Sequence, residues 1–357
     1  MNKWLLVFIV PSLLGGYTAC EGGGERLAGK DKAEDALAIV LWNVQAVFDG
    51  KADGIEYKEY TNGWTQEKYL ARLNMIGEAL DSIGTTPEVL ALVEVENADI
   101  LEDLSKGALV KHGYHWTFFG NNAGAALGVG VLSKLPFTKT QIHSAHENGL
   151  TMPRPVLEAH VTAEGRAIVL FLCHWKSKLG GDAETEPSRR LSARVIARRI
   201  REIHAEAPDT PVIVMGDLNE NHDEFFRQDN VYVTALMPDH PAAAEAALGL
   251  TDFLVISENK PPTSAYFSCL ALYSPWAEIE GGSYNYKGKW ETIDHFLLNS
   301  PLFDEKDWDF DSCEVIRQAP FLNKHGTPAY YNPNTGDGLS DHLPLLLTLR
   351  NKEHEER

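Results

Sequence analysis

Four apolar, β-branched runs in this chain each stop at a residue with chemistry to offer. Leu37-Ala38-Ile39-Val40 leads to Asn43, and Val89-Leu90-Ala91-Leu92 to Glu94. Ile168-Val169-Leu170-Phe171-Leu172 leads to His174, and Pro211-Val212-Ile213-Val214-Met215 to Asp217. Runs of this length and composition read as strands buried on both faces. A buried strand that ends in an amide, carboxylate or imidazole delivers that group to a sheet rim, where open sheets tend to keep their ligands. One such ending is unremarkable. Several, all of metal-ligand or acid/base type, predict an active site.

Downstream lie Trp290-Glu291-Thr292-Ile293-Asp294-His295-Phe296 and Ser340-Asp341-His342-Leu343-Pro344. In chain order the set is Asn, Glu, His, Asp-x-Asn, Asp and Asp-His. In content and in order it resembles the endonuclease/exonuclease/phosphatase superfamily, which includes pancreatic-type deoxyribonucleases, apurinic endonucleases, sphingomyelinases and inositol-polyphosphate phosphatases. Gly216-Asp217-Leu218-Asn219 alone would be weak, because such residues readily make a tight turn. Six motifs in register are strong. The likeness runs from about 37 to 349. It implies a four-layer α/β sandwich: two packed sheets, mostly antiparallel or mixed, flanked by helices, with the site at one end where both sheets contribute.

The residue types suit phosphoester chemistry. Hard divalent cations such as Mg²⁺ or Mn²⁺ take carboxylate oxygen and keep most of their waters, so one or two protein carboxylates suffice. Glu94 is the leading ligand; the resemblance adds Asp341 to the metal shell and Asn43 in support. The two-residue period of a strand places Glu96 on the same face as Glu94, as a helper or a solvated group. Asp217 and Asn219, two apart at a strand end, can both face one phosphate. Asp217 would take a proton from the attacking water, and Asn219 would hold that water or the developing charge. The resemblance implies that His342 and His174 contact the scissile phosphate, and that Asp294 orients and charges His342. It also suggests Arg154 and Lys176 as phosphate contacts. His295 reads as structural, and Cys173 stands where relatives carry Asn. Arg190, Arg194 and Arg198 read as a solvated helix face.

Between these motifs, residues 65–84 carry Tyr69, Leu73, Ile76, Leu80 and Ile83 at helical spacing, with Gly84 as a stop. A second helix is expected from Pro187 to Glu206, with the proline in its first turn. Residues 221–289, rich in aromatics, and residues 320–339 read as long loops that shape specificity.

The N-terminus reads as a targeting segment. Lys3 precedes an apolar run through Leu14 that is too short for a membrane span but suited to a signal, and Tyr17-Thr18-Ala19-Cys20 then meets Glu21-Gly22-Gly23-Gly24. This resembles a bacterial lipoprotein signal with Cys20 acylated, although Tyr17 departs from the usual aliphatic residue. The expected organisation is a signal peptide at 1–19, a tether at 20–36, a catalytic domain at 37–350 and a charged tail at 351–357. The expected location is the cell envelope after export, through an N-terminal lipid anchor, as a monomer. Cys173, Cys269 and Cys313 are expected to stay reduced.

The 357 residues carry a formal net charge of −19, so the overall field does not draw nucleic acid or anionic lipid. That excludes a high-affinity, sequence-reading DNA binder, not a nuclease with its own metal site. The leading expectation is therefore a metal-dependent nuclease acting on DNA or RNA. Hydrolysis of a phospholipid or a sugar phosphate is the alternative. A binding lipoprotein on the same scaffold is a further one, disfavoured because it needs no complete metal and acid/base set.

Overall fold

A computed structural model describes residues 36–52, 55–61, 63–147 and 149–352. The signal, the tether, Cys20 and the end of the charged tail lie outside the described residues.

Two large mixed sheets dominate. The six-stranded sheet runs in the order Trp308–Val315, Leu345–Asn351, Ala36–Val47, Val89–Val95, Gly128–Ser133 and Trp116–Gly120. The eight-stranded sheet runs Leu236–Pro238, Leu254–Ser257, Ala271–Tyr273, Asp294–Leu298, Val212–Asp217, Arg166–His174, Val156–Ala163 and Phe137–His143. In each, a parallel pair carries two of the predicted strand ends. Ala36–Val47 lies parallel to Val89–Val95, and Arg166–His174 parallel to Val212–Asp217.

Alternation along the strands sorts the core into layers. Ile168, Leu170, Leu172, Ile213 and Met215 share one cluster with Ile39, Leu41, Leu90 and Leu92 of the other sheet. Their neighbours Val169, Phe171, Val212 and Val214 pack instead with Leu191, Val195, Ile196 and Ile200 of the long helix. Leu73, Ile76 and Leu80 of the first long helix join the six-stranded sheet. The result is helix, sheet, sheet, helix: the expected four-layer α/β sandwich.

The first helix spans Gln66–Asp81, with the Thr65 hydroxyl accepting from the Lys68 N–H as its N-cap. The second starts earlier than expected, at Asp182 rather than Pro187. The Thr185 N–H closes the first turn on the Gly181 carbonyl. Pro187 thus sits in the second turn, where it removes one helical hydrogen bond without ending the helix.

Residues 221–289 are not a loop. They contribute Leu236–Pro238, Leu254–Ser257 and Ala271–Tyr273, which extend the second sheet at one edge. Three- and four-residue strands show no readable period. Of the aromatics placed in that region, Tyr273 and Trp276 are core residues. Cys173, Cys269 and Cys313 are unpaired. No helix among the described residues is long and apolar enough to cross a membrane.

Candidate active site

Strand register brings three of the expected residues into one row. Asp217 pairs with His174 on one side and with Asp294 on the other. Gly216, just before, has φ +144, and a Cβ there would run into the Cys173 carbonyl, so the approach of these strands requires glycine. Past the row, Asn219 adopts φ +52. The turn returns its N–H to Asp217 Oδ1 at 2.9 Å, while Asn43 Nδ2 donates to Asp217 Oδ2 at 3.0 Å. Both carboxylate oxygens of Asp217 are thereby fixed. Burial, reinforced by Asp294 and Glu94, pushes the Asp217 pKa up to about 7, against the pull of His342 and the Asn219 N–H.

His342 is held by its backbone as well as its ring. Trp42 Nε1 donates to the His342 carbonyl at 3.0 Å, and the His342 N–H donates to Ser340 Oγ at 3.1 Å. Ser340 Oγ in turn donates to the Asn43 carbonyl at 2.6 Å. The ring Nδ1 donates to Asp294 Oδ2 at 2.7 Å, the Ser283 hydroxyl donates to the same oxygen, and Nε2 lies 3.8 Å from Asp217 Oδ2. Tyr284 covers the imidazole with ring centroids 4.6 Å apart. Burial favours the neutral ring, but Asp294, Asp341 and Asp217 together outweigh it and hold the pKa well above the ordinary histidine value. These carboxylates favour the imidazolium form of His342.

His174 is the opposite case. Burial, helped by Arg154 and His342, drives its pKa well below the ordinary value, so it is neutral. Its Nε2 stands 3.8 Å from Glu94 Oε1 and 3.7 Å from Asp217 Oδ2. Its buried Nδ1 makes no hydrogen bond.

Glu94 corrects the expected pattern. It has φ +70 and interrupts the register of Val89–Val95 with both neighbouring strands. This bulge breaks the two-residue alternation, so Glu94 and Glu96 part company. Glu94 Oε2 accepts from the Ala46 N–H at 3.0 Å, whereas buried Glu96 Oε2 accepts from the Asp49 N–H at 2.7 Å and braces a loop. Burial first, and then Asp341, raises the Glu94 pKa.

The fit of a cation can be judged from these donors. Oxygen and nitrogen atoms of Asp217, Asp294 and His342 lie within 4.8 Å of one another. Asp294 and His342, however, are already bonded to each other, which leaves little coordinating capacity there. Glu94 and Asp341 fit better: the Asp341 carboxylate is close enough to Glu94 to help raise its pKa, and the two form the all-oxygen environment a hard cation takes. Asn43 is turned away from that role. Its amide nitrogen is on Asp217, and its Oδ1 accepts from the Gln45 N–H at 3.0 Å.

The two expected phosphate contacts separate. Arg154 lies near enough to Glu94 and His174 to bias both charges, and Nη1 reaches the Trp175 carbonyl at 3.4 Å. Lys176 is not brought to the cluster; its Nζ donates to the Ser177 and Leu179 carbonyls of its own loop. Arg190 and Arg194 are half-buried and pair with Asp252 and Glu147, whereas Arg198 is solvated as expected, beside the equally exposed Glu202. His295 is structural, its Nε2 donating to the Glu220 carbonyl at 2.8 Å.

Two buried arginines went unnoticed in the sequence. Arg72 donates to the carbonyls of Val44 and Leu339, clamping the segments that carry Asn43 and Asp341. Arg189 bonds Glu186 and Glu220 and so holds the segment just past Asn219. A single buried arginine at helical spacing has no sequence signature, so neither was findable.

No curated protein matches the chain. Among solved structures, truncated Caenorhabditis elegans TDP2 is 16% identical with a TM-score of 0.52, over 88% of this chain and 97% of that one. D. rerio TDP2 complexed with single strand DNA product is 18% identical with a TM-score of 0.52, over 88% and 99%. The human Nocturnin catalytic domain with bound sulfate anion is 14% identical with a TM-score of 0.52, over 89% and 94%. At such identities the likeness is one of fold. The sequence model of the Endonuclease/Exonuclease/phosphatase family, in contrast, matches residues 38–235 directly, across the strands that carry Asn43, Glu94, His174 and Asp217. The chain belongs to the endonuclease/exonuclease/phosphatase family.

Proposed function

We propose that this chain is a nuclease, hydrolysing phosphodiester bonds in DNA or RNA with Mg²⁺ or Mn²⁺ held by Glu94 and Asp341. One observation carries the reading: a buried carboxylate with pKa about 7 stands 3.8 Å from an imidazolium that a second carboxylate holds charged. Groups whose environments drive their protonation apart are what acid/base assignments look like.

In this reading Asp217 accepts the proton of the attacking water, steadied by the Asn43 amide and the Asn219 N–H. His342 donates to a non-bridging phosphate oxygen and stabilises the charge that builds there. Asp294 positions His342, and Asn219 lies at the mouth where the water enters. Neutral His174 and the Arg154 guanidinium supply further donors to the phosphate. A bound cation supplies positive charge against a phosphate oxygen. A nucleic-acid substrate draws support from the similar fold of D. rerio TDP2, whose structure contains a single strand DNA product.

The test is a substrate panel of plasmid DNA, RNA, sphingomyelin and inositol phosphates with Mg²⁺, before and after chelation. Nucleic-acid cleavage that stops on chelation and returns with the cation is the expected result; full activity after thorough chelation rules the mechanism out. Export as a monomer with acylated Cys20 belongs to the same proposal. Cys20→Ala should move the protein from the membrane to the soluble fraction.

A further inference from the structure

Two cavities share Tyr284 as a wall. One, of 540 Å³, is lined by Asn219, Lys178, Tyr286 and Ile293 among others. The other, of 400 Å³, is lined by Asp341, Gln45, Asn285 and Tyr330 among others. Both volumes fall in the range of small-molecule sites. Each contains one residue assigned above to hydrolysis, Asn219 or Asp341. Each also contains one tyrosine with most of its surface in solvent, Tyr286 at 53% and Tyr330 at 60%.

We propose that these cavities are the subsites for the two nucleosides flanking the scissile phosphate, with Tyr286 and Tyr330 stacking on their bases, so that the enzyme takes unpaired strands. The inference rests on the phosphodiester reading above.

Both rings are presented on fixed backbone. Tyr286 ends the first strand of a hairpin, Tyr284–Tyr286 paired with Lys289–Glu291, whose tip residues Lys287 and Gly288 both have positive φ. The hairpin is tied to the site where Leu343 N–H donates to the Ser283 carbonyl at 2.8 Å and the Ser283 hydroxyl reaches Asp294. The Tyr284 and Tyr286 rings are parallel within 12°. At the other cavity, the Ala329 carbonyl accepts from the Ser340 N–H at 3.0 Å, which fixes Tyr330 beside the Ser340-Asp341-His342 segment.

Charge points the same way. Among the described residues Lys178 is the one cation lining either cavity, and its Nζ is bonded to Glu224 at 2.6 Å, while Lys287 Nζ lies 4.8 Å from the centre of the Tyr286 ring at the hairpin tip. Phosphate attraction within the two cavities is therefore weak, so the part of a substrate that lies in them is held by ring faces, while the scissile phosphate is held by the groups named above. A base inside a duplex has both faces covered, so an aromatic platform suits bases that have left the stack. Asn285, Lys287 and Lys289 make the same hairpin too polar for a membrane wedge.

Binding tests this without turnover. Protein carrying Asp217→Asn is titrated with a short fluorescent oligothymidylate and with an abasic strand of equal length. Adding Tyr286→Ala or Tyr330→Ala should weaken binding of the thymidylate about 5- to 100-fold, and phenylalanine at either position should restore it. The abasic strand should bind weakly to all variants alike. Equal losses on both strands, no loss on either, or Tyr286-dependent binding to phosphatidylcholine vesicles overturns the proposal. Turnover by the unaltered enzyme with tyrosine-independent binding sinks the subsites alone. Tyrosine-dependent binding with no turnover leaves the stacking sites standing and sinks the hydrolytic reading.

Discussion

Asp217 sits where a general base is most useful, with a pKa near the pH at which it would work. Asp217→Asn keeps the size and removes the proton acceptor, so kcat should fall by about 10²–10⁴-fold with little change in melting temperature. His342→Ala should lose about 10²–10³-fold. Asp294→Asn should be milder, because it disturbs only the orientation and charge of the imidazole. Residues acting on one transition state are non-additive, so the Asp217→Asn/His342→Ala double mutant should lose less than the product of the single losses. Initial rates at saturating Mg²⁺ with parallel thermal melts decide this; wild-type turnover in Asp217→Asn places the site elsewhere. The pH dependence follows from the same two groups. As the proposed base Asp217 would work ionised, so kcat/KM should rise with pH through about 7. As the proposed phosphate-side donor His342 would work protonated, so activity should fall again only well above the ordinary histidine range. A rate that stays flat from acid to neutral pH would assign the proton transfer to another group.

Secondary-structure elements supply the precision that the residues use. The long-helix side of the second sheet buries Glu158, which accepts from His143 Nε2 at 2.7 Å, His160 Nε2 at 2.6 Å and Arg199 Nε at 2.6 Å. Burial alone would raise its pKa, but these donors outweigh it and hold the carboxyl far below the usual range. A depressed folded pKa adds stability at neutral pH that is withdrawn as pH falls below about 4.3. Glu158→Gln should therefore cost about 3–5 kcal/mol near pH 7, with the gap to wild type narrowing under acid in urea titrations. A gap independent of pH would mean packing, not charge, sets the cost. Elements also show where the sequence was readable. Asn43, Glu94, His174 and Asp217 were each placed by an apolar run before them, and the four layers were implied by the resemblance that those residues carry. The Glu94 bulge was not readable, because a left-handed glutamate leaves no pattern in the residues around it. The three edge strands between 236 and 273 were too short to display alternation. Arg72 acts on carbonyls 28 and 267 residues away and Arg189 on Glu220, 31 residues away, contacts that no local window contains.

The whole molecule is strongly acidic, and the two cavities beside Tyr284 add little to offset that. A net charge of −19 and a lone, already paired lysine in the two cavities leave few phosphate contacts. Each such contact steepens the logarithmic salt dependence of single-strand binding by about 0.7. The slope of log kcat/KM against log salt should therefore be shallower than about −2 at fixed Mg²⁺; a steep slope would reveal a cationic track elsewhere on the surface. One further consequence lies in the hydrogen bond from Trp42 to the His342 carbonyl, which joins positions 300 residues apart. The final strand, Leu345–Asn351, takes an interior place in its sheet between Trp308–Val315 and Ala36–Val47. Contacts of such sequence separation form late and slowly. Asp217 and His342 can therefore be locked together only once that last interior strand is in place, so assembly of the cluster belongs to the closing steps of folding rather than to its first strand pairings.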